Sequence, residues 1–379
     1  MSEYQYYEFQ AIDRPLTAAE MSELRSVSTR GRVTPTSFVN EYSWGDFRGN
    51  PDLWMERYFD AFLHLANWGT HVLKLRLPPR LLSPTTALAY LGSESASVNV
   101  KSGQVILSFR SDDEYGGEWV DGEGQLSSLI SVRAELARGD RRALYLGWLL
   151  RVQAGELLDD DVEPPVPPGL GQPSAALDSL ADFLRIDRDL LHAAAQASPP
   201  LPELTIERED LRRWVGGLPG EQKDDLITRL IVDSDHARVT ELLQRFLSER
   251  RSAESDPVIR KRTVAQLLAA AKAYAKQRKQ REAREQAAAR EQREKEAAEA
   301  RKQHLDSLVG HENRLWSEAE TLVATSKAAG YDQAVQILID LRDLDRRGAG
   351  GDFRRRIEAL RQANGRRSAF ISRLLKAGL

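Results

Sequence analysis

Residues 263–304 read TVAQLLAAAKAYAKQRKQREAREQAAAREQREKEAAEARKQH. The first turns hold Val264, Leu267, Leu268 and Tyr274, enough apolar surface to dock on a neighbouring core. From Lys276 to His304 alanine is the sole apolar residue. Ala, Glu, Gln, Arg and Lys are the strongest helix formers, and no Gly or Pro interrupts them. The stretch is therefore expected as one long helix, opened by Asp256-Pro257 and exposed because it has no apolar face to bury. A dimeric coiled coil needs large apolar side chains at its a and d positions over three or more heptads. Alanine alone does not supply them, although an alanine seam against another helix stays open.

The chain on either side falls into different patterns. Residues 305–379 carry Leu315, Trp316, Leu322, Tyr331, Leu338, Leu341, Ile357, Phe370 and Leu374 at helical spacing. Gly330 and Gly348 to Gly351 are expected to separate the helices of this hairpin-like domain. Residues 174–255 are expected as a compact helical bundle, with helical periodicity from Ser174 to Arg250. Ser174 and Asp187 stand as N-caps, and helices are expected over 207–215, 221–231 and 237–249. Residues 157–173 are proline-rich and contain Asp159-Asp160-Asp161, a composition expected of a linker.

The first 156 residues read as a mixed α/β domain. Tyr4 to Ile12 suits a strand, and Thr17-Ala18-Ala19-Glu20 is a capping box before a helix over 18–28. Arg32 to Trp44 suits a second strand, bent or at an edge because of Pro35. Asn50-Pro51 is a cap and first turn, and Leu53, Trp54, Tyr58, Phe62 and Leu65 extend that helix to Ala66. His71 to Leu77 alternates as a strand, residues 97–101 and 104–109 form a hairpin, and helices follow over 127–137 and 141–153. The fold class expected is α+β and multidomain: a mixed α/β N-terminal domain, then an all-α half with a long charged helix.

Composition limits the chemistry. The 379 residues contain no cysteine, which excludes disulfides, thiolate metal sites, iron–sulfur clusters and cysteine nucleophiles. No basic segment followed by an apolar run opens the sequence, so no signal peptide is expected. No apolar stretch approaches the ~20 residues of a membrane span. The net charge of −3 conceals an asymmetry: residues 256–379 hold 27 Lys and Arg against 17 Asp and Glu, and the first 255 residues are net −13. Such a split suits an anionic partner for the basic half, or attraction between the halves.

Two groups of residues are candidates for contact. Arg260, Lys261, Arg262, Lys272, Lys276 and Lys279 could meet phosphates without reading a base sequence. The interleaved glutamates farther along favour a solvated spacer instead. Arg32, Asn40, Glu41, Tyr42, Trp44 and Asp46 form the densest polar-aromatic patch and could line a ligand pocket, with core packing as the plain alternative. The acidic loop from Asp112 to Glu123 does not have the spacing of a calcium loop and is expected to be solvated. The six histidines include no H-E-x-x-H pair, although His64 and His71 flank a turn and could meet. Serine-elbow, Walker and dinucleotide motifs are missing, and no cofactor or metal is expected.

The segments Tyr7 to Leu16, Thr34 to Tyr42 and Phe183 to Leu191 resemble those of a family of uncharacterised bacterial proteins, nearly end to end. That resemblance implies a bacterial cytoplasmic origin and transfers no activity, cofactor or site. The expected function is a non-enzymatic interaction or scaffold protein whose partner is another protein, with the helix as spacer or docking arm and no membrane contact. A nucleic-acid accessory factor acting through residues 260–302 is the alternative. An enzyme around Arg32, Glu41 and Asp46 is the second alternative, and the oligomeric state is left open.

Overall fold

The architecture is α+β: an N-terminal antiparallel sheet with helices, followed by a helical half containing one very long helix. The computed structural model describes residues 4–28, 30–113, 122–201, 207–232, 242–243, 245–246, 261–348 and 352–379. The strands are β1 (Gln5–Gln10), β2 (Arg32–Val33), β3 (Ser37–Tyr42), β4 (Ala61–Ala66), β5 (His71–Leu77), β6 (Ala96–Lys101) and β7 (Gln104–Ser111). They form a seven-stranded sheet in the order β2-β3-β1-β4-β5-β7-β6, with every pairing antiparallel. The helices are α1 (Ala18–Val27), α2 (Pro51–Arg57), α3 (Pro84–Leu88), α4 (Gln125–Leu129), α5 (Ser131–Ala137), α6 (Arg142–Gln153), α7 (Ala175–Phe183), α8 (Arg188–Ala195), α9 (Arg208–Gly217), α10 (Gly220–Val232), α11 (Val264–Leu308), α12 (Glu312–Ala324), α13 (Ala328–Arg346), α14 (Phe353–Ala363) and α15 (Ser368–Lys376). Two compact units result, Met1–Gln277 and Arg278–Leu379.

In the first unit both faces of the sheet are covered, by different partners. On one face Phe9, Phe38, Phe62 and Val72 pack with Leu24 of α1, Trp54 and Met55 of α2, and Phe59. The other face presents Leu63, Leu65, Leu73, Leu75, Leu107 and Phe109 to α4 through α8. Gly147 lets α6 approach closely, because a Cβ there would lie 2.6 Å from Leu91 and 2.7 Å from the Phe109 ring.

A central strand buried on both faces explains the main departure from sequence expectation. The helix expected from Pro51 to Ala66 ends at Arg57, and Ala61–Ala66 is β4. Leu53, Trp54, Tyr58, Phe62 and Leu65 do fall at helical spacing. Phe59, Ala61 and Leu63 lie between them, however, and a segment apolar all round suits a strand between two layers. Asp60, wholly buried at the break, accepts from the Ile12 and Asp13 amides at 2.6 and 2.9 Å and from Arg76 at 2.8 Å. This carboxylate ties the end of β1 to β5 and fixes the bend between α2 and β4.

The segment 157–173, expected as a linker, carries part of this unit's core. Val166 and Leu170 are buried, and Val162 bridges Thr263 just before α11. Glu163 accepts two hydrogen bonds from Arg262, Nε and Nη2 each at 2.7 Å, and one from the Tyr145 hydroxyl. The Arg262 Nη1 group donates to the Ala193 carbonyl at 2.9 Å. Val264, Leu267 and Ala271 then join the core, and Tyr274 stacks on His192 with ring centroids 3.6 Å apart. The helix expected over 237–249 and the opening at Asp256-Pro257 lie almost wholly outside the described residues.

The second unit packs the last turns of α11 with α12 through α15. Leu305, Leu315, Trp316, Ala319, Leu338, Phe370 and Leu374 are buried. Gly330, expected as a break between helices, lies inside the first turn of α13. The break falls at Ser326, with φ +57. A Cβ on Gly330 would stand 2.7 Å from Thr325 Oγ1 and 3.0 Å from the Leu322 carbonyl oxygen. Glycine there permits the close return of the chain and does not end a helix.

Candidate functional site

Strand alternation divides the polar-aromatic patch between the two faces of the sheet. Asn40 is the register partner of Tyr7, and Tyr42 of Gln5, so these four share the face that carries α1 and α2. Glu41 pairs with Tyr6 and Arg32 with Val39, on the opposite face. Arg32 and Glu41 are exposed there. Trp44 lies beyond the strand, 68% exposed, with the Arg30 guanidinium 4.7 Å above its ring. The structure thus gathers Asn40, Tyr42 and Asp46, and separates Arg32, Glu41 and Trp44 from them.

The gathered residues close on one another. Asn40 donates to Ser28 Oγ and to the Tyr42 hydroxyl, each at 2.8 Å. The Tyr7 hydroxyl donates to Gln5 Oε1 at 2.6 Å, and Gln5 Nε2 donates to Asp46 Oδ1 at 3.1 Å and the Gly45 carbonyl at 3.3 Å. The Tyr7 ring stacks on Phe47 at 4.9 Å and on His64 at 4.4 Å. Burial, with a smaller contribution from Asp46, pushes the Tyr7 hydroxyl up to about 12. The Tyr7 hydroxyl proton is held by Gln5, whose amide nitrogen in turn engages Asp46. The loop 45–47 is a hydrogen-bonded cover over the end of the sheet.

His64 is the residue that sequence reasoning undervalued. It follows Tyr7 across the sheet, with Val72 beyond it and then Arg110. Its Nε2 is buried without a hydrogen-bond partner among the described residues. Burial first, then the charge of Arg110, pushes its pKa down to about 4. The imidazole is therefore neutral at ordinary pH and a weak base. His71 does not meet it, since adjacent strands place the two rings on opposite faces. His71 Nδ1 lies 2.7 Å from the Phe183 carbonyl, and Nε2 lies 2.9 Å from Arg185. Proton donation from Nδ1 leaves Nε2 to accept from Arg185, which fixes a neutral imidazole; burial pushes its pKa down as well.

The second candidate group splits in the same way. Arg260 lies outside the described residues. Arg262 is taken up by Glu163, which leaves its guanidinium mostly covered. Lys261, Lys272, Lys276 and Lys279 are exposed. The last three recur at i, i+4 and i+7 on one side of α11 and have no ion-pair partner among the described residues. No acidic residue occurs from Lys261 until Glu282. From there acidic residues pair along the helix, in Arg278–Glu282, Arg281–Glu285, Arg290–Glu294 and Glu291–Lys295. Residues 283–300 are exposed without a gap.

Among the described residues no cluster of three His, Cys, Asp or Glu side chains could hold a metal ion. Within them no helix is long and apolar enough to cross a membrane. The acidic loop expected to be solvated falls on residues 114–121, outside the described set, apart from its ends. Comparison with protein-family models, curated proteins and solved structures yields no match.

Proposed function

We propose that this chain is a non-enzymatic interaction protein of the bacterial cytoplasm, with α11 as the arm that meets another protein. The observation that carries the reading is the run 283–300, where every side chain is exposed and none is a large apolar group. Each i,i+4 ion pair is worth only about 0.3–0.5 kcal/mol, so the arm's helicity draws mainly on residue propensity and on its two packed ends. Nothing in the arm serves a fold core, which leaves its surface for a partner. The test places a photo-crosslinking residue at Gln286, Arg293 or Ala297 in living cells. Discrete protein adducts at these positions, absent from a chain labelled at the exposed Arg138, support the reading. Adducts no different from those at Arg138 remove it.

A second reading rests on the row Lys272, Lys276 and Lys279, which has no ion-pair partner among the described residues. Nucleic acid bound there neutralises phosphates, so affinity must fall steeply with salt. Replacing the three lysines with glutamine should then weaken binding to a random duplex at least about tenfold at 50 mM salt. Unchanged binding, or binding indifferent to salt, excludes this reading.

A further inference from the structure

The two edges of the sheet are treated differently. β2 at one edge has two residues, and Pro35 follows it closely. β6 at the other edge has six residues in unbroken register with β7, without proline or bulge. Native sheets blunt long edges because their free amides and carbonyls are templates for another strand. β6 carries one such device, Lys101 at its end.

The hydrogen-bonding parity of β6 follows from its flanks. The Ser95 carbonyl accepts from the Arg110 amide, and the Ala96 carbonyl points away from β7 to accept from the Gly92 amide. Residues 97, 99 and 101 therefore bond to β7, and Val98 and Val100 direct both backbone groups outward. No described residue takes those four groups. On the face carrying α3, Val100 is 52% exposed and Leu88 56% exposed. Glu94, just before β6, and Lys101, at its end, are both exposed and have no ion-pair partner among the described residues.

We propose that β6 pairs with β6 of a second copy, antiparallel, about a two-fold axis through Asn99. This register sets Val98 opposite Val100 of the other copy, twice, and all four outward groups of each strand find partners. Lys101 comes opposite Ser97, three residues from Glu94 in the sequence, so opposite charges lie toward each end and no like charges face. An isologous contact of this kind closes at two copies and leaves no free edge at β6. It stands whether or not α11 engages a partner protein.

Sedimentation velocity on the full chain tests this, with a reversible dimer expected as the concentration rises to about 100 µM. Val100→Pro removes an amide hydrogen that the monomer does not use, and proline is tolerated on an edge strand. It should leave the circular dichroism spectrum unchanged and weaken dimerisation at least about tenfold. Lys101→Glu should weaken the dimer and Glu94→Lys with Lys101→Glu should restore it. In this cysteine-free chain, Asn99→Cys treated with diamide should give a disulfide-linked dimer. Ser97→Cys should not, because its equivalents lie beyond the ~7 Å Cα limit for a disulfide. A chain that stays monomeric, or a dimer indifferent to Val100→Pro and not linked by Asn99→Cys, overturns the proposal.

Discussion

Lowering the pH should destabilise the N-terminal unit through His64 well before its carboxylates are protonated. The unfolded imidazole takes a proton near pH 6.5, whereas the folded one, buried beside Tyr7 with Arg110 nearby, resists it down to about 4. Between these values the unfolded state binds more protons, so stability falls as the pH falls. At pH 5 the unfolded group is almost fully protonated and the folded one about one-tenth so, a loss of about 2 kcal/mol relative to pH 7.5. Below pH 4 the loss saturates at about 3 kcal/mol. His71 contributes with the same sign, so the diagnostic quantity is the difference between wild type and His64→Phe. Phenylalanine keeps the ring against Tyr7, and the buried Nε2 has no hydrogen bond to lose among the described residues. Urea unfolding followed by tryptophan fluorescence at pH 7.5 and pH 5 measures it. The variant should lose about 2 kcal/mol less than wild type over that interval. Equal losses in the two proteins would refute the assignment of His64 as a buried neutral imidazole.

Three further outcomes follow from packing. Arg262→Ala leaves the Glu163 carboxylate buried without its cation and should cost about 3–5 kcal/mol, seen as a lower urea midpoint and faster amide exchange in the first turns of α11. Arg262→Lys should recover only part of this, because the bidentate geometry is lost. Gly147→Ala forces a methyl against Leu91 and Phe109 and should cost about 1–3 kcal/mol in thermal unfolding of the first unit. Leu338→Ala, in the core of the second unit, should cost about 2–5 kcal/mol there and leave the urea transition of residues 1–277 in place.

Local signals in the sequence proved legible where they act locally. The capping box at Thr17 and Glu20 forms, with the Glu20 amide donating to Thr17 Oγ1 at 3.2 Å. The Asn50 cap, the 71–77 strand and the hairpin through Ser102-Gly103 are also present. Alanine-rich charge patterning foretold an uninterrupted helix, and α11 has 45 residues. What escaped the sequence depends on distant partners. Residues 61–66 became a strand because β1 and β5 lie on either side. Arg262 looked available because Glu163, 99 residues earlier, is a partner no spacing rule reveals. Of the polar-aromatic patch, alternation alone could have separated Glu41 from Asn40 and Tyr42. The Gln5 and Tyr7 side chains that join Asp46 belong to another strand.

The seat of α11 also has a meaning in time. Glu163 is synthesised 99 residues before Arg262 and the Ala193 carbonyl of α8 69 residues before it, and Arg262 completes the site. At ~5–20 residues per second that interval lasts on the order of 5–20 s. Through it, the emerging unit holds a carboxylate with no cation and an apolar slot that Val264 and Leu267 have yet to fill. The entropic cost of closing such a separation grows only slowly with its length, so the separation itself does little to delay the seating of the helix once it has left the ribosome. Until then the nascent chain offers a short-lived docking slot for an apolar helix that begins with a basic residue, and a chaperone or a second nascent chain could occupy it first.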